Sequence, residues 1–561
     1  MIERSRAGFV HASWRALSLL LITQVVAAAP SPSQPPLDEF WRNATIYFLL
    51  TDRFANGDPG NDPAVGQQRD ADKYRGFEGG DIEGVIERID SGYFSALGVD
   101  AIWTTPLIEN VHGHVGENSW GTTYSYHGYW PLDWTAVDPR LGNEVTLARL
   151  ISAAHAKGIR VLADVIINHA GAPTAIDPKW PTAWVRSGPS CDYKSFAGTA
   201  TCELSFTLQD IRTESDAAVE LPEFLVDKWR REGRLAQEQT ELEAFFARTR
   251  LPRAPKYFIV KWLTDWVRDY GIDGFRVDTA KHTDPEVWLV LKREAEAALA
   301  DWRAANPERL RPDHPFYMVG EIYNFGVAGF ENAAKFGLAY EYGDRSVDFY
   351  QCGFDALINM GFSTHARQSP AALFSMYDHE LQGRFVGKGI LNYISSHDDM
   401  KPLDPARTQP YLAATKLMLS PGAVQIYYGD ELSRSLVVPG TKGDATLRSP
   451  MDWRTENTRE GAQILQHWQK LGRFRQAHPA VGAGAHQQLQ AEPLVFARVL
   501  ADDRVVVALD VGNEMNRIPV GEVFANGERL IDRYSGEQVM VENHAVHLSG
   551  KRAVVLLARA E

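Results

Sequence analysis

The 561-residue sequence predicts an α/β protein built on a closed (β/α)8 TIM barrel, with a small domain inserted after the third strand and a C-terminal antiparallel β-sandwich domain. Short apolar runs alternate with amphipathic helical stretches, which indicates parallel strands covered by helices. One connection is far too long for an ordinary loop between a strand and a helix. Beyond residue 481 the pattern changes to short segments of period two, which are typical of antiparallel strands.

Each predicted barrel strand is a short, mainly apolar run, and each predicted helix carries apolar residues at helical spacing. The predicted strands are Ala44–Leu50, Ala101–Thr104, Val161–Ile167, Gly274–Asp278, Phe316–Ile322, Gly389–Ile394 and Val424–Tyr428. The predicted helices are Ile82–Leu97, Glu144–Lys157, Tyr257–Tyr270, Pro285–Asn306 and Pro410–Ser420. The C-terminal strands are Leu494–Leu500, Arg504–Val511, Ala545–Leu548 and Arg552–Ala558.

The N-terminus has the pattern of a secretory signal peptide. Arginines precede an apolar run, Ala16–Ala29, of about 14 residues, which is shorter than the roughly 20 that cross a bilayer. We expect cleavage after Ala28 and export to the periplasm or the medium, with no membrane contact afterwards. An uncleaved anchor is the alternative.

The predicted organisation divides the chain into five parts: residues 1–28, signal peptide; 38–169, first part of the barrel; 170–256, inserted domain; 257–480, second part of the barrel; 481–561, C-terminal β domain. Within the insert, Glu223–Arg250 is densely charged with interspersed large apolar residues. A solvated helix pair is the plain interpretation, and part of a substrate-binding wall is the other.

Charge and composition exclude several classes of function. The sequence has 58 basic and 72 acidic residues and a net charge of −14, which argues against binding a nucleic-acid backbone. We find no glycine-rich phosphate-binding loop that opens a helix. Fifteen tryptophans would suit sugar stacking, although core packing explains most of them.

The three cysteines fit an exported protein. Cys191 and Cys202 are close in sequence, and an oxidising compartment would favour a disulfide between them. Cys352 is left over and is expected to be a buried thiol. No Cys/His spacing is typical of a zinc site.

The chemistry is predicted at the ends of three strands. Residues two apart on a strand face the same way, so Arg276 and Asp278 project together at the carboxyl end of a barrel strand, where barrel active sites lie. A fixed guanidinium is expected to lower the pKa of Asp278 and keep it ionised, as a carboxylate nucleophile requires. The alternative is a structural Arg–Asp pair.

Two further acids follow at the ends of later strands. Glu321 lies near a carboxylate that is already charged, which would raise its pKa and suit a general acid. Asp398 ends a third strand. Three acids at one rim repel each other, and a reaction with a developing positive charge, such as glycoside hydrolysis, resolves that cost.

At this point the sequence resembles the α-amylase family of retaining glycoside hydrolases (family thirteen), and most of all bacterial periplasmic α-amylases. Eight short regions occur in the family's order: Gly98–Pro106, Tyr126–Trp130, Asp164–His169, Leu208–Ile211, Gly274–His282, Gly320–Tyr323, Ser395–Asp398 and Gly422–Gly429. Each region alone is a weak signal. Together, across residues 39–480, they are highly specific.

The resemblance implies the roles of these residues. Asp278 would be the nucleophile, Glu321 the acid and then the base, and Asp398 the stabiliser of the transition state. Arg276 would hold Asp278. His169 and His397 would donate or accept hydrogen bonds with hydroxyls of the sugar at the cleaved bond, and Tyr129 would stack on that sugar. Lys281 and His282 would line the leaving-group side.

The resemblance also implies bound calcium, held by two sets of oxygen donors. The first set is Asn168, Asp210 and the backbone carbonyl of His282, which would clamp the insert to the barrel. The second is Asn56, Asp58, Asn61, Asp62, Asp81 and the Gly79 carbonyl. For the second set, a loop of Asx turns without a metal is the alternative.

These observations predict an endo-acting α-amylase that hydrolyses internal α-1,4-glucosidic bonds of starch, glycogen and maltodextrin through a covalent glycosyl-aspartate. A transglycosylase of the same family is a near alternative, because the motifs at the nucleophile do not separate the two. A non-catalytic glucan-binding protein is disfavoured, since all three acids are present. A monomer is expected.

Overall fold

A computed structural model describes residues 37–62, 70–309, 313–328, 338–512 and 517–560. Eight parallel strands close into a barrel in chain order. Strands β1–β8 are Thr45–Leu49, Ala101–Thr104, Arg160–Val165, Gly274–Val277, Tyr317–Gly320, Ala356–Asn359, Gly389–Tyr393 and Ala423–Tyr427. The predicted fold class is confirmed. The predicted signal peptide lies outside the described residues, and within those residues no helix is long and apolar enough to span a bilayer.

The barrel strands are buried on both faces, because side chains fill the interior and helices cover the outside. Every residue of β1 is buried, for example, and so is every residue of β8. Such strands are expected to be nearly continuous apolar runs, which is why the sequence pattern found most of them. The barrel closes where β8 pairs with β1 in parallel, Val424 opposite Thr45.

Seven longer helices accompany the barrel: Ile82–Asp90, Glu144–Ala156, Pro255–Tyr270, Glu286–Ala305, Pro370–Gln382, Pro410–Met418 and Arg459–Ala477. Shorter helices are Glu39–Asn43, Thr51–Phe54, Tyr93–Ala96, Ala197–Ala200, Phe362–His365 and Ala480–Ala483. The predicted single helix Ile82–Leu97 is wrong. It divides into two helices at Gly92, whose φ of 79° is incompatible with continuing the first.

Strand β6 and the helices Pro370–Gln382 and Arg459–Ala477 were not predicted. Strand β6 has only four residues, and the short strands of the connection before it, Tyr340–Glu341 and Ser346–Val347, form a hairpin. The described part of the connection before β6 holds short strands in place of a long helix, so the alternation of strand and helix that located the other strands does not mark it.

The insert between β3 and the helix Pro255–Tyr270 contains a three-stranded antiparallel sheet of His169–Gly171, Leu208–Ile211 and Val185–Arg186. It also contains the helices Glu223–Arg231 and Leu235–Thr249. This charged helix pair is not fully solvated, because Trp229 is buried and its ring contacts that of Trp262. The predicted disulfide between Cys191 and Cys202 is present, and Cys352 is a half-buried free thiol.

The C-terminal part forms a six-stranded antiparallel sheet and a separate two-stranded one. The larger sheet has the order Ala485–Gln490, Val495–Leu500, Asp503–Val511, Arg552–Arg559, Arg529–Asp532 and Gln538–Met540, and the smaller pairs Arg517–Pro519 with Ala545–His547. A buried histidine links this part to the barrel helices. His467 Nδ1 lies 2.8 Å from the Tyr534 hydroxyl, and its Nε2 lies 3.0 Å from the Tyr411 carbonyl oxygen.

Candidate active site

The three predicted acids lie at the carboxyl ends of barrel strands. Asp278 directly follows β4, Glu321 directly follows β5, and Asp398 follows β7. Strands β4 and β5 are neighbours, with Val277 opposite Gly320, so the residues that follow them are adjacent at the mouth. Glu321 and Asp398 line one cavity of about 510 Å³.

Arg276 connects the acids. Its Nη1 lies 2.9 Å from Asp278 Oδ1 and its Nη2 lies 2.8 Å from Glu321 Oε2. Nη1 also donates to Asp164 Oδ1 at 2.8 Å. The guanidinium is buried, so these ion pairs are poorly screened by water. One cation therefore fixes the separation and orientation of Asp278 and Glu321.

The environment shifts the pKa values of the three acids in different directions. Burial raises the pKa of Asp278, and the charge of Arg276 opposes that rise without cancelling it. The sequence predicted a lowered pKa for Asp278, and that direction is wrong. Burial also raises the pKa of Glu321, with Arg276 again opposing and the charges of Asp278 and Asp398 adding. A raised pKa suits a group that must carry a proton.

Asp398 differs from the other two acids because two neighbouring groups stabilise its ionised form. Its Oδ2 lies 2.9 Å from His397 Nε2, and its Oδ1 lies 2.5 Å from Arg448 Nη2. Partial desolvation in the mouth raises the pKa of Asp398, whose side chain is 49% accessible, but His397 and Arg448 outweigh it and hold the pKa below the ordinary value. Asp398 is therefore ionised beside the pair held by Arg276.

Tyr129 and His397 form an aromatic wall beside the acids. Their rings are stacked, with centroids 5.2 Å apart and planes 18° apart. The Tyr129 hydroxyl donates to Asp164 Oδ2 at 2.7 Å, which fixes the ring. His169 Nε2 lies 3.0 Å from the Tyr129 carbonyl oxygen and its Nδ1 lies 3.2 Å from the Asn168 amide. Both ring nitrogens of His169 thus have protein partners. For the predicted contact, a sugar hydroxyl would have to replace one of these two partners.

Lys281 and His282 lie in the turn that follows β4. Burial lowers the pKa of Lys281 to about 8. Its Nζ lies 5.0–5.5 Å from the ring centroids of three tyrosines, Tyr193, Tyr323 and Tyr340. His282 is held from the insert, because its Nδ1 lies 2.8 Å from the Thr199 carbonyl oxygen. The tyrosine cluster was not predicted, because its members come from two connections that are far apart in the sequence, the insert and the connection between β5 and β6.

The first predicted calcium set has unused oxygen atoms. Asp210 pairs with His169 across the insert sheet, which brings it next to Asn168. The Asn168 side-chain oxygen is buried and accepts no hydrogen bond. Asp210 is buried, its pKa is raised by burial to about 8, and its Oδ2 lies 2.8 Å from Arg186 Nε. Unused buried oxygens of this kind fit a hard cation.

Most groups of the second predicted calcium set make hydrogen bonds within their own loop. The Asp81 carboxylate accepts from N–H groups at 2.7–3.1 Å, which belong to Gly57, Asp58, Asn61 and Gly84. Asp81 is thereby the N-cap of the helix Ile82–Asp90. The Asn56 amide donates to Asp62 at 3.1 Å, and Gly79 lies against both. The Asn61 side-chain oxygen in the same loop is buried and accepts no hydrogen bond, so the second calcium ion stays a prediction beside its alternative, Asx turns without a metal. In the parts of the chain that the structure describes, no group of three or more His, Cys, Asp or Glu residues could hold a metal ion.

Two site residues, Asp164 and Arg448, had not been assigned roles. Asp164 is a buried carboxylate that accepts hydrogen bonds from Arg276, Tyr129 and the Trp103 indole. A charged residue inside the apolar run of β3 was the available signal. Arg448 follows β8 in a loop, and no periodicity marks it.

Comparisons with known proteins agree with this geometry. The sequence profile described as "Alpha amylase, catalytic domain" matches residues 48–473, and "Neopullulanase-like, C-terminal domain" matches residues 487–554. The chain is 35% identical to the periplasmic alpha-amylase of Escherichia coli (strain K12) over 537 residues, which covers 85% of the chain and 73% of that protein.

Two further similarities are more distant. The chain is 26% identical to neopullulanase 2 of Thermoactinomyces vulgaris over 514 residues, covering 89% of the chain and 75% of that protein. A solved structure of an Anoxybacillus alpha-amylase superposes with a TM-score of 0.64 at 21% identity, covering 93% of the chain and 99% of that structure. This last similarity concerns the fold.

Proposed function

The chain belongs to the α-amylase family of glycoside hydrolases, whose members act on α-glucans, and from this premise we propose that it hydrolyses internal α-1,4-glucosidic bonds with retention of configuration. Starch, glycogen and maltodextrins are the proposed substrates. The observation that supports the proposal most is the arrangement of Asp278 and Glu321 on the two nitrogens of Arg276, with Asp398 in the same mouth.

In the proposed reaction, an oxygen of Asp278 attacks the anomeric carbon as the bond to the leaving oxygen breaks. Glu321 gives its proton to that leaving oxygen. Glu321 Oε2 already faces Arg276 and accepts from the Thr279 N–H at 2.9 Å, so Oε1 is the oxygen free to carry the proton. Glu321 then takes a proton from water, which attacks the glycosyl-enzyme and releases Asp278.

The charge of Asp398 opposes the positive charge that develops on the sugar ring in both steps. Its depressed pKa keeps it ionised where Glu321 must be protonated. The two acids therefore have the opposite protonation states that the proposed roles require.

Two measurements test this proposal. Glu321→Gln should lose most activity on starch and still bind maltooligosaccharide, because the proton donor is removed without emptying the site. Turnover within tenfold of the parent would contradict the assignment of Glu321. Freshly released sugar should be the α anomer by NMR, as double displacement requires, and β product appearing first would exclude the retaining mechanism.

A second candidate is a transglycosylase, in which a sugar replaces water as the acceptor. The observation in its favour is the cluster of three tyrosines around Lys281, because aromatic rings bind sugar faces and exclude water. A timed chromatogram of products from maltotetraose separates the two candidates. Products longer than the substrate support transfer, whereas only shorter ones support hydrolysis.

We propose one calcium ion, held by Asn168, Asp210 and the His282 carbonyl. When bound, it would supply a structural link between the insert and the barrel and favour the ionised form of Asp210, whose pKa is raised by burial. Asn168 and His282 are the sequence neighbours of His169 and Lys281, so the ion would also help to fix the positions of His169 and Lys281. Export is also proposed, from the N-terminal pattern and from the periplasmic location in the name of the E. coli relative.

A further inference from the structure

A chain of ion pairs leads from Asp398 to the rim of the mouth. Arg448 Nη2 lies 2.5 Å from Asp398 Oδ1 and 2.7 Å from Asp444 Oδ2. Asp444 Oδ1 lies 2.7 Å from Nη2 of Arg75, which is buried. The Arg75 guanidinium in turn lies 5.1 Å from the ring centroid of Trp120. Trp120 is therefore fixed to the network that orients Asp398.

Trp120 is the exposed tryptophan of the described residues, with 43% of its surface accessible. It lies in the connection between β2 and β3, within a small hairpin of Val115–Gly116 and Thr122–Thr123. Its ring packs against Gly443, where an added Cβ would come within 2.7 Å of the indole. One part of the ring is thus supported by the protein while the rest faces solvent.

The barrel topology shows which end of a substrate would reach this ring. Lys281, on the proposed leaving-group side, follows β4, whereas Asp444 and Arg448 follow β8. In a closed barrel of eight strands in chain order, β4 and β8 face each other across the mouth. A glucan whose leaving part lies over Lys281 therefore directs its non-reducing part toward β8 and Trp120.

We infer that Trp120 is a distal binding platform for a glucosyl unit on the non-reducing side of the cleaved bond, so that it selects longer α-glucan chains. The apolar C–H face of a glucosyl ring stacks on the exposed indole, while Arg75 and Gly443 hold the other side of the ring. A rigid aromatic anchor gains contact area at low entropic cost. This inference rests on the proposed function for the identity of the ligand.

The test compares chain lengths in Trp120→Ala. For maltoheptaose, kcat/KM should fall about threefold to tenfold, the range of an aromatic stacking contact. For maltotriose, which is too short to fill distal positions, kcat/KM should stay within about twofold. Trp120→Phe should retain most of the preference for the long chain. Phe206→Ala, which removes another exposed aromatic side chain, is the matched control and should change neither value.

Binding to a Glu321→Gln background by calorimetry separates failure of this inference from failure of the proposed function. Adding Trp120→Ala should weaken maltoheptaose binding and leave maltotriose binding unchanged. An active parent whose length preference survives Trp120→Ala overturns the inference. Equal losses for both substrates also overturn it, because the ring would then act through Arg75 and Asp398. A parent that hydrolyses none of the maltodextrins but shows the binding difference overturns only the proposed function.

Discussion

Replacing Arg448 by methionine would remove the cation that lies closest to Asp398. The guanidinium is 2.5 Å from Asp398 Oδ1 and is almost fully buried. Methionine preserves much of the apolar stem and its packing. Asp444 would keep its second partner, Arg75, whereas the His397 carbonyl oxygen would lose the donor Arg448 Nε, which lies 3.1 Å away.

The magnitude follows from the charge-assisted bond that is lost. A hydrogen bond between charged groups contributes about 1.5–3 kcal/mol. If that contribution holds Asp398 in place in the transition state, kcat should fall about tenfold to 150-fold. The pKa of Asp398 should also rise, because Arg448 is one of the two groups that lower it. Activity should then be lost at a higher pH on the acid side.

Initial rates on maltoheptaose from about pH 4 to about pH 9 measure both effects. Arg448→Lys keeps the charge and should give an intermediate loss. Arg454→Met is the matched control, since the Arg454 side chain is 90% exposed and pairs with Asp452. A kcat within twofold of the parent, together with an unchanged acid limb, would refute a positioning role for Arg448.

Three further results are expected. Burial lowers the pKa of His467 to about 4 in the folded protein. As pH falls through about 6.5, the ring is therefore protonated in the unfolded chain before it is protonated in the folded one, and the folded protein loses stability. Between pH 8 and pH 5, urea unfolding should show the parent losing about 2 kcal/mol more than His467→Gln, and equal losses would contradict this. The double variant Cys191→Ser, Cys202→Ser should unfold about 3 kcal/mol more easily, as closing a loop of this length predicts; a denaturant midpoint equal to that of the parent would show that the loop is already fixed by other contacts. Removing calcium with EDTA should lower Tm and calcium should restore it, whereas Asn168→Ala should not respond to either treatment; a parent indifferent to EDTA would argue against the ion.

The fold and the three acids were predictable because both follow from strand periodicity and strand order. Alternating apolar runs locate the strands, and the carboxyl ends of parallel strands meet at one face. Asp278 and Glu321 therefore had to be neighbours once β4 and β5 were neighbours. The observed strand boundaries differ from the predicted ones by one or two residues. A strand ends where its hydrogen-bonded partner ends, and the sequence of one strand carries no information about its partner.

Contacts made by loops were not predictable in the same way. Arg448 and Trp120 lie on connections after β8 and β2, and only the folded barrel brings them to one rim. The Asp81 loop shows a different limit. Short oxygen-bearing side chains suit both calcium and backbone N–H groups, so the same sequence fits a metal loop and a helix cap.

The closure of the barrel has a consequence for how the chain is made. Strand β1 leaves the ribosome long before one of its two partners, β8, which lies hundreds of residues later in the chain. At about 5–20 residues per second, synthesis of that interval takes on the order of tens of seconds. Throughout that time Ile46 and its neighbours present an unpaired apolar edge, which invites aggregation. A nascent chain of this protein should therefore depend on chaperones until translation has passed Tyr427.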